Sequence, residues 1–281
     1  MNHLGIAALL NSHQPEFSLA QPFYTSDEIL NFEWQHIWQK NWLFAGNTAQ
    51  IPRPGDYFIY NLQKDAIIII RGNKGEVYAH YNTCAHRGSA ICLEQKGNTA
   101  KLICPYHQWV YDKDGTLLNA RMMPDDFCKD EFNLRSVHLE VVEGLIFICF
   151  AEDAPDFSLI KKSLAPYLSP YQINDAKVAA IKNYTLKANW KLVAENFREC
   201  YHCGGAHPEY CSAVIGANLR EDRLTQFWEI TGEQDGQLCE NNFRRIETNG
   251  YHPGPYAPVE DLVINFVEWC VEEMRKGLEV G

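Results

Sequence analysis

Two short segments of the chain each combine one cysteine with one histidine. They are Cys84–Gly88, with the sequence CAHRG, and Cys104–His107, with the sequence CPYH. A zinc site built from two cysteines and two histidines is one interpretation, but zinc sites usually pair two thiolates on one knuckle. Here each segment brings one thiolate and one imidazole. That division favours a two-iron cluster in which thiolates hold one iron and imidazoles hold the other.

A second group of candidate ligands lies in residues 195–207, whose sequence is ENFRECYHCGGAH. On a helix, Glu195, Glu199 and His202 would lie near one face. Gly204-Gly205 should then end the helix and let His207 fold back toward His202. Two imidazoles and a carboxylate from elsewhere form the facial triad that holds non-haem Fe(II) and leaves positions open for O₂.

Two other interpretations of this second group remain open. The polar side chains are also typical of an ordinary helix end. In addition, Cys200 and Cys203 form a C-x-x-C pair, which together with the histidines suits a zinc or redox site.

The first pair of segments, C-x-H-R-G with C-P-Y-H-x-W, resembles the Rieske 2Fe–2S domain of ring-hydroxylating oxygenases and their relatives. The resemblance implies that Cys84 and Cys104 bind one iron, and that His86 and His107 bind the other. Neutral imidazoles in place of two thiolates remove negative charge from the cluster and raise its reduction potential.

The second group, N-W-K-x₃-E-N-x₂-E-x₂-H-x₄-H, is similar to the catalytic motif of Rieske oxygenase α subunits. The resemblance implies that His202 and His207 bind a mononuclear non-haem Fe(II). It also implies that Glu199 connects this iron to the Rieske cluster of a neighbouring subunit. The third ligand in the family is an aspartate on a late helix, and Gly232–Asp235 resembles that segment, so Asp235 is the candidate.

Most ring-hydroxylating members have aspartate where this chain has Glu199. The glutamate and the Cys-Tyr-His-Cys run resemble the branch that acts on quaternary ammonium compounds such as choline, glycine betaine, stachydrine or carnitine. The implied function is an oxygenase terminal component that uses O₂ and NAD(P)H-derived electrons to hydroxylate and demethylate such a compound. A separate flavin and iron–sulfur reductase would deliver the electrons, and the oxygenase would be a homotrimer. Trp228, Tyr251 and Tyr256 are available for a cation–π cage, although core packing is their expected role.

The chain is shorter than the resemblance requires, since only 27 residues separate His207 from Asp235. In the family a long stretch of sheet and helix lies there and forms the wall of the substrate pocket. We therefore predict an internally shortened catalytic domain with its junction near Asn218–Arg223. Two alternative functions follow: an electron-transfer Rieske protein with an inactive catalytic domain, and a zinc-stabilised binding module.

The elements that must position these residues predict an α+β fold in three parts. We expect an N-terminal helical segment over 1–41, an antiparallel β Rieske domain over 42–151, and a truncated helix-grip α+β catalytic domain over 152–281. The predicted helices and strands that bear on the sites are a helix over Ser26–Trp42, β runs at Asp56–Asn61, Ala66–Arg71, Val77–Asn82, Leu102–Cys104, Gln108–Tyr111 and Thr116–Leu118, two strands within Val137–Ala151, a strand at Ala176–Leu186, and helices at Leu159–Leu168, Asn189–Tyr201, Glu229–Arg245 and Val259–Lys276.

Composition excludes several classes of protein. The 281 residues carry 25 basic and 36 acidic side chains, a net charge of −11, which argues against nucleic-acid binding. The longest apolar run, Leu145–Ala151, is far shorter than the roughly 20 residues of a membrane helix. Met1–Ala20 lacks the basic start of a signal peptide. We expect a soluble cytoplasmic protein whose ten cysteines are packing thiols or metal ligands rather than disulfides.

Overall fold

The computed structural model describes residues 3–211 and 221–280. It divides into two compact units, one comprising 38–179 and the other combining 1–37 with 180–281. The predicted three-part division therefore differs from the observed one in two ways. The N-terminal helical segment belongs to the same unit as the C-terminal part, and the boundary expected after residue 151 lies near residue 179.

The unit 38–179 is built from antiparallel strands. The strands are β1 Leu43–Asn47, β2 Asp56–Leu62, β3 Asp65–Arg71, β4 Val77–Tyr81, β5 Lys96–Asn98, β6 Leu102–Ile103, β7 Val110–Tyr111, β8 Leu117–Asn119, β9 His138–Val142 and β10 Leu145–Cys149. They form sheets with the orders β1-β10-β9, β4-β3-β2-β5 and β6-β7-β8. The predicted antiparallel β domain is thus observed, with the ends of eight of its ten strands within two residues of those expected.

Strand β3 lies at the centre of this unit. Its run Ile67–Ile70 is fully buried, as an uninterrupted apolar strand predicts. Ile68 and Ile70 pack in the core cluster that also holds Cys84 and Cys104, whereas the other two isoleucines pack against β10. The candidate cluster loops are therefore attached to a rigid apolar core.

The described helices are mostly in the other unit. They are α1 His3–Ser12, α2 Pro22–Thr25, α3 Asp27–Glu33, α4 Ser158–Leu168, α5 Trp190–Asn196, α6 Cys203–Ala206, α7 Glu221–Ile246 and α8 Asp261–Val280, and α3 is followed by a π-helical turn, Trp34–Trp38. Helix α5 packs against α7 and α8, and α1 packs against α8. None of the described helices has both the length and the apolar character needed to cross a membrane.

A buried ion pair holds α5 in place. Lys191 Nζ lies 2.6 Å from Glu33 Oε1, and both side chains are 0% exposed. Trp190 donates from Nε1 to the other oxygen of Glu33 at 2.8 Å. The N-terminal segment and the candidate catalytic helix are therefore coupled by charge as well as by packing.

Several predicted elements differ from the structure. The helix expected over Ser26–Trp42 is α3 followed by the π-helical turn and ends at Trp38, and the helix expected to begin at Glu229 begins at Glu221. Residues 176–186 are not a strand, because the described part of this unit contains no sheet with which such a strand could pair. The helix expected over Asn189–Tyr201 ends at Asn196. Past that end the chain leaves the helical pattern: the Arg198 N–H donates to the Glu195 carbonyl three residues back, and the Glu199 carboxylate accepts the backbone N–H groups of Tyr201 and His202.

Candidate iron–sulfur and mononuclear metal sites

The two Cys-His loops of the β unit have the same backbone geometry. In the loop Cys84–Ser89, the cysteine N–H donates to the carbonyl five positions later at 2.9 Å, and the N–H four positions later donates back to the cysteine carbonyl at 2.9 Å. In Cys104–Trp109 the equivalent distances are 2.9 and 3.0 Å. The residues four positions after each cysteine, Gly88 and Gln108, both have positive φ, +75° and +60°. The two segments thus form matched loops.

These loops bring the four predicted cluster ligands together. Both cysteines are buried, and the His86 and His107 rings lie 4.5 Å apart between centroids. His86 Nδ1 is buried and makes no hydrogen bond with any described residue. An unsatisfied buried nitrogen costs about 1–3 kcal/mol, and a coordinated metal removes that cost. Two thiols on one side and two imidazoles on the other therefore fit a Rieske cluster.

Tyr111 supplies a further contact to this site. Its hydroxyl oxygen accepts the N–H of Ala85 at 3.2 Å and lies 3.2 Å from Cys84 Sγ. Burial raises the pKa of Tyr111, so the hydroxyl keeps its proton and can donate it to the sulfur. The motif did not identify this residue. Its place two positions after Trp109, on β7, is the only sequence signal that could have done so.

The second candidate site lies in the helical unit. Ligand atoms of His202, His207 and Asp235 all lie within 4.8 Å of one another. Asp235 Oδ1 is 3.3 Å from His202 Nε2 and 3.0 Å from His207 Nε2. The structure thus brings together the two histidines and the distant aspartate chosen from the sequence.

One single-turn helix and one long helix position these three side chains. His202 and His207 flank the single-turn helix α6, and Asp235 lies in the middle of α7. The prediction that Gly204-Gly205 ends a helix is wrong, because both glycines lie inside α6. The backbone N–H of His207 donates to the Cys203 carbonyl at 3.0 Å, and this one turn sets the spacing of the two rings.

Hydrogen bonds to the ring nitrogens show why the donor set fits a cation. His202 Nδ1 contacts the Glu199 carboxylate, and His207 Nδ1 lies 2.7 Å from Gln234 Oε1. With the Nδ1 proton donated to these acceptors, the Nε2 atom of each ring is available to bind a cation beside the Asp235 carboxylate. Two imidazoles and one carboxylate fit the facial triad of non-haem iron.

The remaining predicted residues lie around this centre. Asn196, which sequence reasoning missed, donates to Asp235 Oδ1 at 2.8 Å and orients that carboxylate. Glu195 lies on α5, whereas Glu199 lies beyond the end of that helix, and Glu195 accepts a 2.9 Å hydrogen bond from the Tyr24 hydroxyl. Burial raises the pKa of Glu195 to about 7.

The Cys200 and Cys203 sulfurs are not part of the described ligand cluster. Burial and the neighbouring Cys200 raise the pKa of Cys203 to about 11 in the metal-free chain. The C-x-x-C interpretation therefore has no support from the geometry.

A cavity of about 310 Å³ opens beside His202. Its lining includes Leu192, Glu195, Asn196, Glu199, Tyr256 and Glu260. Of the aromatic residues considered for a cation–π cage, Tyr256 borders this cavity, whereas Trp228 is 56% exposed and is not part of the lining. The three aromatic residues therefore do not form one cage.

Comparison with known proteins identifies the class. A family model described as the Rieske [2Fe-2S] domain matches residues 41–137, and the model of the ring hydroxylating alpha subunit (catalytic domain) matches residues 173–216. These two matches, in this order, define a Rieske-type oxygenase alpha subunit.

Individual relatives agree with this class. The glycine betaine monooxygenase oxygenase subunit of Pseudomonas aeruginosa is 43% identical over 396 aligned positions, which cover 97% of this chain and 92% of the relative. The carnitine monooxygenase oxygenase subunit of Acinetobacter baumannii is 31% identical over 217 positions, covering 74% of this chain and 55% of the relative. The chain belongs to the Rieske oxygenase alpha-subunit family, and the expected family is confirmed.

A solved structure shows the same fold. The quaternary ammonium Rieske monooxygenase CntA in complex with L-carnitine superposes with a TM-score of 0.84, at 22% identity, over 98% of this chain and 99% of that one. The family carries a Rieske 2Fe–2S cluster and a mononuclear iron, so both expected cofactors are supported. The zinc interpretation of the first pair of segments is replaced by the Rieske match.

The comparison also bears on the expected shortening. The alignment with the Pseudomonas relative has 396 positions, whereas this chain has 281 residues, so over a hundred positions have no counterpart here. The junction predicted near Asn218–Arg223 lies largely outside the described residues, whose gap covers 212–220.

Proposed function

We propose that the chain is the oxygenase component of a two-component enzyme that demethylates a quaternary ammonium compound such as glycine betaine. One observation carries the proposal: His202, His207 and Asp235 converge within 4.8 Å, in a chain that is 43% identical to a glycine betaine monooxygenase oxygenase subunit. Convergence of residues so distant in sequence supports a retained metal centre rather than a relic of one.

The proposed cofactor ligands follow from the two donor sets. Cys84 and Cys104 hold one iron of a Rieske cluster, and His86 and His107 hold the other. The ligands of a mononuclear Fe(II) are His202, His207 and Asp235. When bound, the cluster supplies single electrons and the mononuclear iron activates O₂.

The proposed role of Glu199 is to connect the two kinds of site. Its carboxylate already accepts the Nδ1 proton of His202 and two backbone N–H groups, which fix its orientation. A carboxylate held in this way can also accept an imidazole N–H from a Rieske ligand of a neighbouring subunit. This role requires an oligomer, and we propose a homotrimer in the cytoplasm, supplied with electrons by a separate flavin and iron–sulfur reductase that oxidises NAD(P)H.

The cavity beside His202 supports a cationic substrate. Its described lining contains Glu199 and Glu260, together with Glu195, whose pKa is about 7, and neither lysine nor arginine, so its charge suits a quaternary ammonium group. Hydroxylation of an N-methyl carbon consumes O₂, two electrons and two protons, and releases water. The resulting N–CH₂OH group then breaks its C–N bond to give a tertiary amine, formaldehyde and a proton.

The first experiment is a metal count on protein purified anaerobically and reconstituted with Fe(II). Iron and acid-labile sulfide are measured per chain together with the visible spectrum. About three irons with about two sulfides would support both sites. Incubation with a reductase, NADH and glycine betaine should then release formaldehyde, and His202→Ala should release none.

A second candidate function is favoured by the missing positions. A chain that lacks over a hundred positions of its relative has less material to form a substrate pocket. Such a chain could carry electrons without oxygenating a substrate. About two irons, a reducible Rieske spectrum and no formaldehyde would favour this electron-transfer function over the oxygenase.

A further inference from the structure

The amide of Gln234 lies between a candidate metal ligand and a carboxylate. Its Oε1 is 2.7 Å from His207 Nδ1, and its Nε2 donates to Glu209 Oε2 at 3.2 Å. We propose that Glu209 and Gln234 are positioning residues that hold His207 in the Nδ1-protonated tautomer and so present its Nε2 lone pair to the metal. The inference rests on the proposed function, since it requires a metal at His207.

The chemistry of the three groups fixes the direction of this relay. A carboxylate oxygen only accepts hydrogen bonds, so the amide nitrogen of Gln234 must face Glu209. The amide oxygen then faces His207 and, being an acceptor too, requires a proton on Nδ1. Without Glu209 the amide could turn by 180° and offer an N–H to Nδ1. That orientation favours protonation of Nε2, and an Nε2-protonated ring cannot bind metal through that atom.

Burial makes this contact more important for His207 than for its neighbour. The His207 side chain is 2% exposed, compared with 20% for His202. Water can replace a lost partner of His202 more readily than a lost partner of His207. Removal of Gln234 therefore leaves Nδ1 without an acceptor.

The relay also links the two segments that supply the ligands. Gln234 adjoins Asp235 on α7, and Glu209 lies two residues after His207. The hydrogen bond between Gln234 and Glu209 therefore joins α7 to the segment that carries His207, in addition to the contacts between Asp235 and the histidines. Its loss should therefore change ligand geometry before it changes the fold.

The test is a titration of the mononuclear site in the full chain with its Rieske cluster intact. Fe(II) binding beyond the cluster iron is measured by anaerobic equilibrium dialysis for the native protein and for Gln234→Leu. Loss of an outer partner of a metal-bound histidine typically costs 10–100-fold in metal affinity, and we expect a loss of about that size. Gln237→Leu is the matched control, because Gln237 is exposed on the same helix, and its affinity should equal that of the native protein.

Two further variants separate positioning from folding. The exchange variant Gln234→Glu/Glu209→Gln retains an acceptor for His207 and an amide donor beside that acceptor, and should keep the affinity within a few-fold of the native value. The melting temperature of protein that holds the cluster but no mononuclear metal should be the same in Gln234→Leu and Gln237→Leu. If Gln234→Leu fails to fold, the exchange variant decides: a near-native affinity supports the relay, and a full loss overturns it.

A double-variant cycle tests the role of Glu209. Glu209→Ala should weaken Fe(II) binding in the native background and have no further effect in the Gln234→Leu background. Equal effects in both backgrounds would overturn the relay, as would native affinity in Gln234→Leu. A native protein that binds no Fe(II) beyond its cluster would instead contradict the proposed function, and this result would be seen before any variant is made.

Discussion

Single hydrogen bonds decide the chemical character of both candidate centres. In the β unit the Tyr111 hydroxyl lies 3.2 Å from Cys84 Sγ, and in the helical unit Gln234 Oε1 and the Glu199 carboxylate accept hydrogen bonds from the Nδ1 atoms of His207 and His202. The Tyr111 contact changes how much negative charge a cluster ligand carries. The contacts to the histidines favour the tautomer in which Nε2 offers its lone pair to the metal.

The Tyr111 contact leads to a prediction about reduction potential. A hydrogen bond to a cluster thiolate is stronger when the cluster is reduced and more negative, so it raises the potential. Tyr111→Phe should lower the potential by a few tens of millivolts, corresponding to a change on the order of 1 kcal/mol in hydrogen-bond strength. Redox titration of the visible spectrum measures this. Tyr171→Phe, at a tyrosine that is 76% exposed in the same unit, is the control and should leave the potential unchanged.

Glu195 leads to a prediction about pH and stability. Its carboxyl group is desolvated beside Tyr24, with Lys191, Tyr256 and Glu260 also facing it, and its pKa is raised from 4.5 to about 7. The folded state therefore binds this proton more tightly than the unfolded state, and the free energy of unfolding falls as pH rises from about 4.5 to about 7.

Glu195→Gln removes this titration and keeps an oxygen that accepts from Tyr24. The free energy of unfolding of the variant minus that of the native protein should be larger at pH 8 than at pH 5. Urea unfolding at the two pH values gives the difference. An equal difference at both would mean that Glu195 titrates alike in the folded and unfolded chains.

At the scale of elements, the sequence predicts features that depend on neighbouring residues and misses features that depend on residues far away in the chain. Eight of the ten strands of the β unit follow from apolar runs bounded by turns and were located to within two residues, whereas β1 and β5 were not predicted. The strand expected at Ala176–Leu186 has an equally suitable local pattern but no partner strand among the described residues. A local pattern cannot reveal that a partner is missing.

The same distinction holds for the candidate sites. The cluster loops and the two histidines follow from motif spacing, and Asp235 follows from a second motif. Gln234 and Asn196 lie within those motifs, but their contacts join residues 27 and 39 positions apart. Past the end of α5 at Asn196, the Glu199 side chain accepts two backbone N–H groups, and helix propensity does not describe such contacts.

The Glu33–Lys191 pair leads to a prediction about how α5 is held. Both charges are fully buried, so removal of one leaves the other uncompensated, which costs about 3–5 kcal/mol. Lys191→Met should lower the free energy of unfolding by about that amount. The double variant Glu33→Gln/Lys191→Met removes both charges and retains an acceptor for Trp190, so it should lose much less. Urea denaturation measures both, and equal losses would show that packing rather than charge is responsible.

At the scale of the whole molecule, the proposed electron path through Glu199 predicts complementation between two inactive variants. Cys104→Ala should lose the Rieske cluster but keep the mononuclear site, whereas Glu199→Gln should keep the cluster spectrum and lose substrate-coupled turnover. If electrons pass only within one subunit, a mixture of these variants stays inactive, since no subunit contains both functions.

If electrons pass between subunits, the mixture should be active, and the amount of activity can be calculated. In trimers co-assembled from equal parts, half of the subunits keep Glu199, and half of these have a neighbour that carries a cluster. The mixture should therefore recover about a quarter of the native formaldehyde release. The control is a mixture of the two proteins purified separately, which cannot form mixed trimers unless subunits exchange. Recovery in the co-assembled sample alone would support both the trimer and the bridge, and no recovery at full iron occupancy would contradict the path through Glu199.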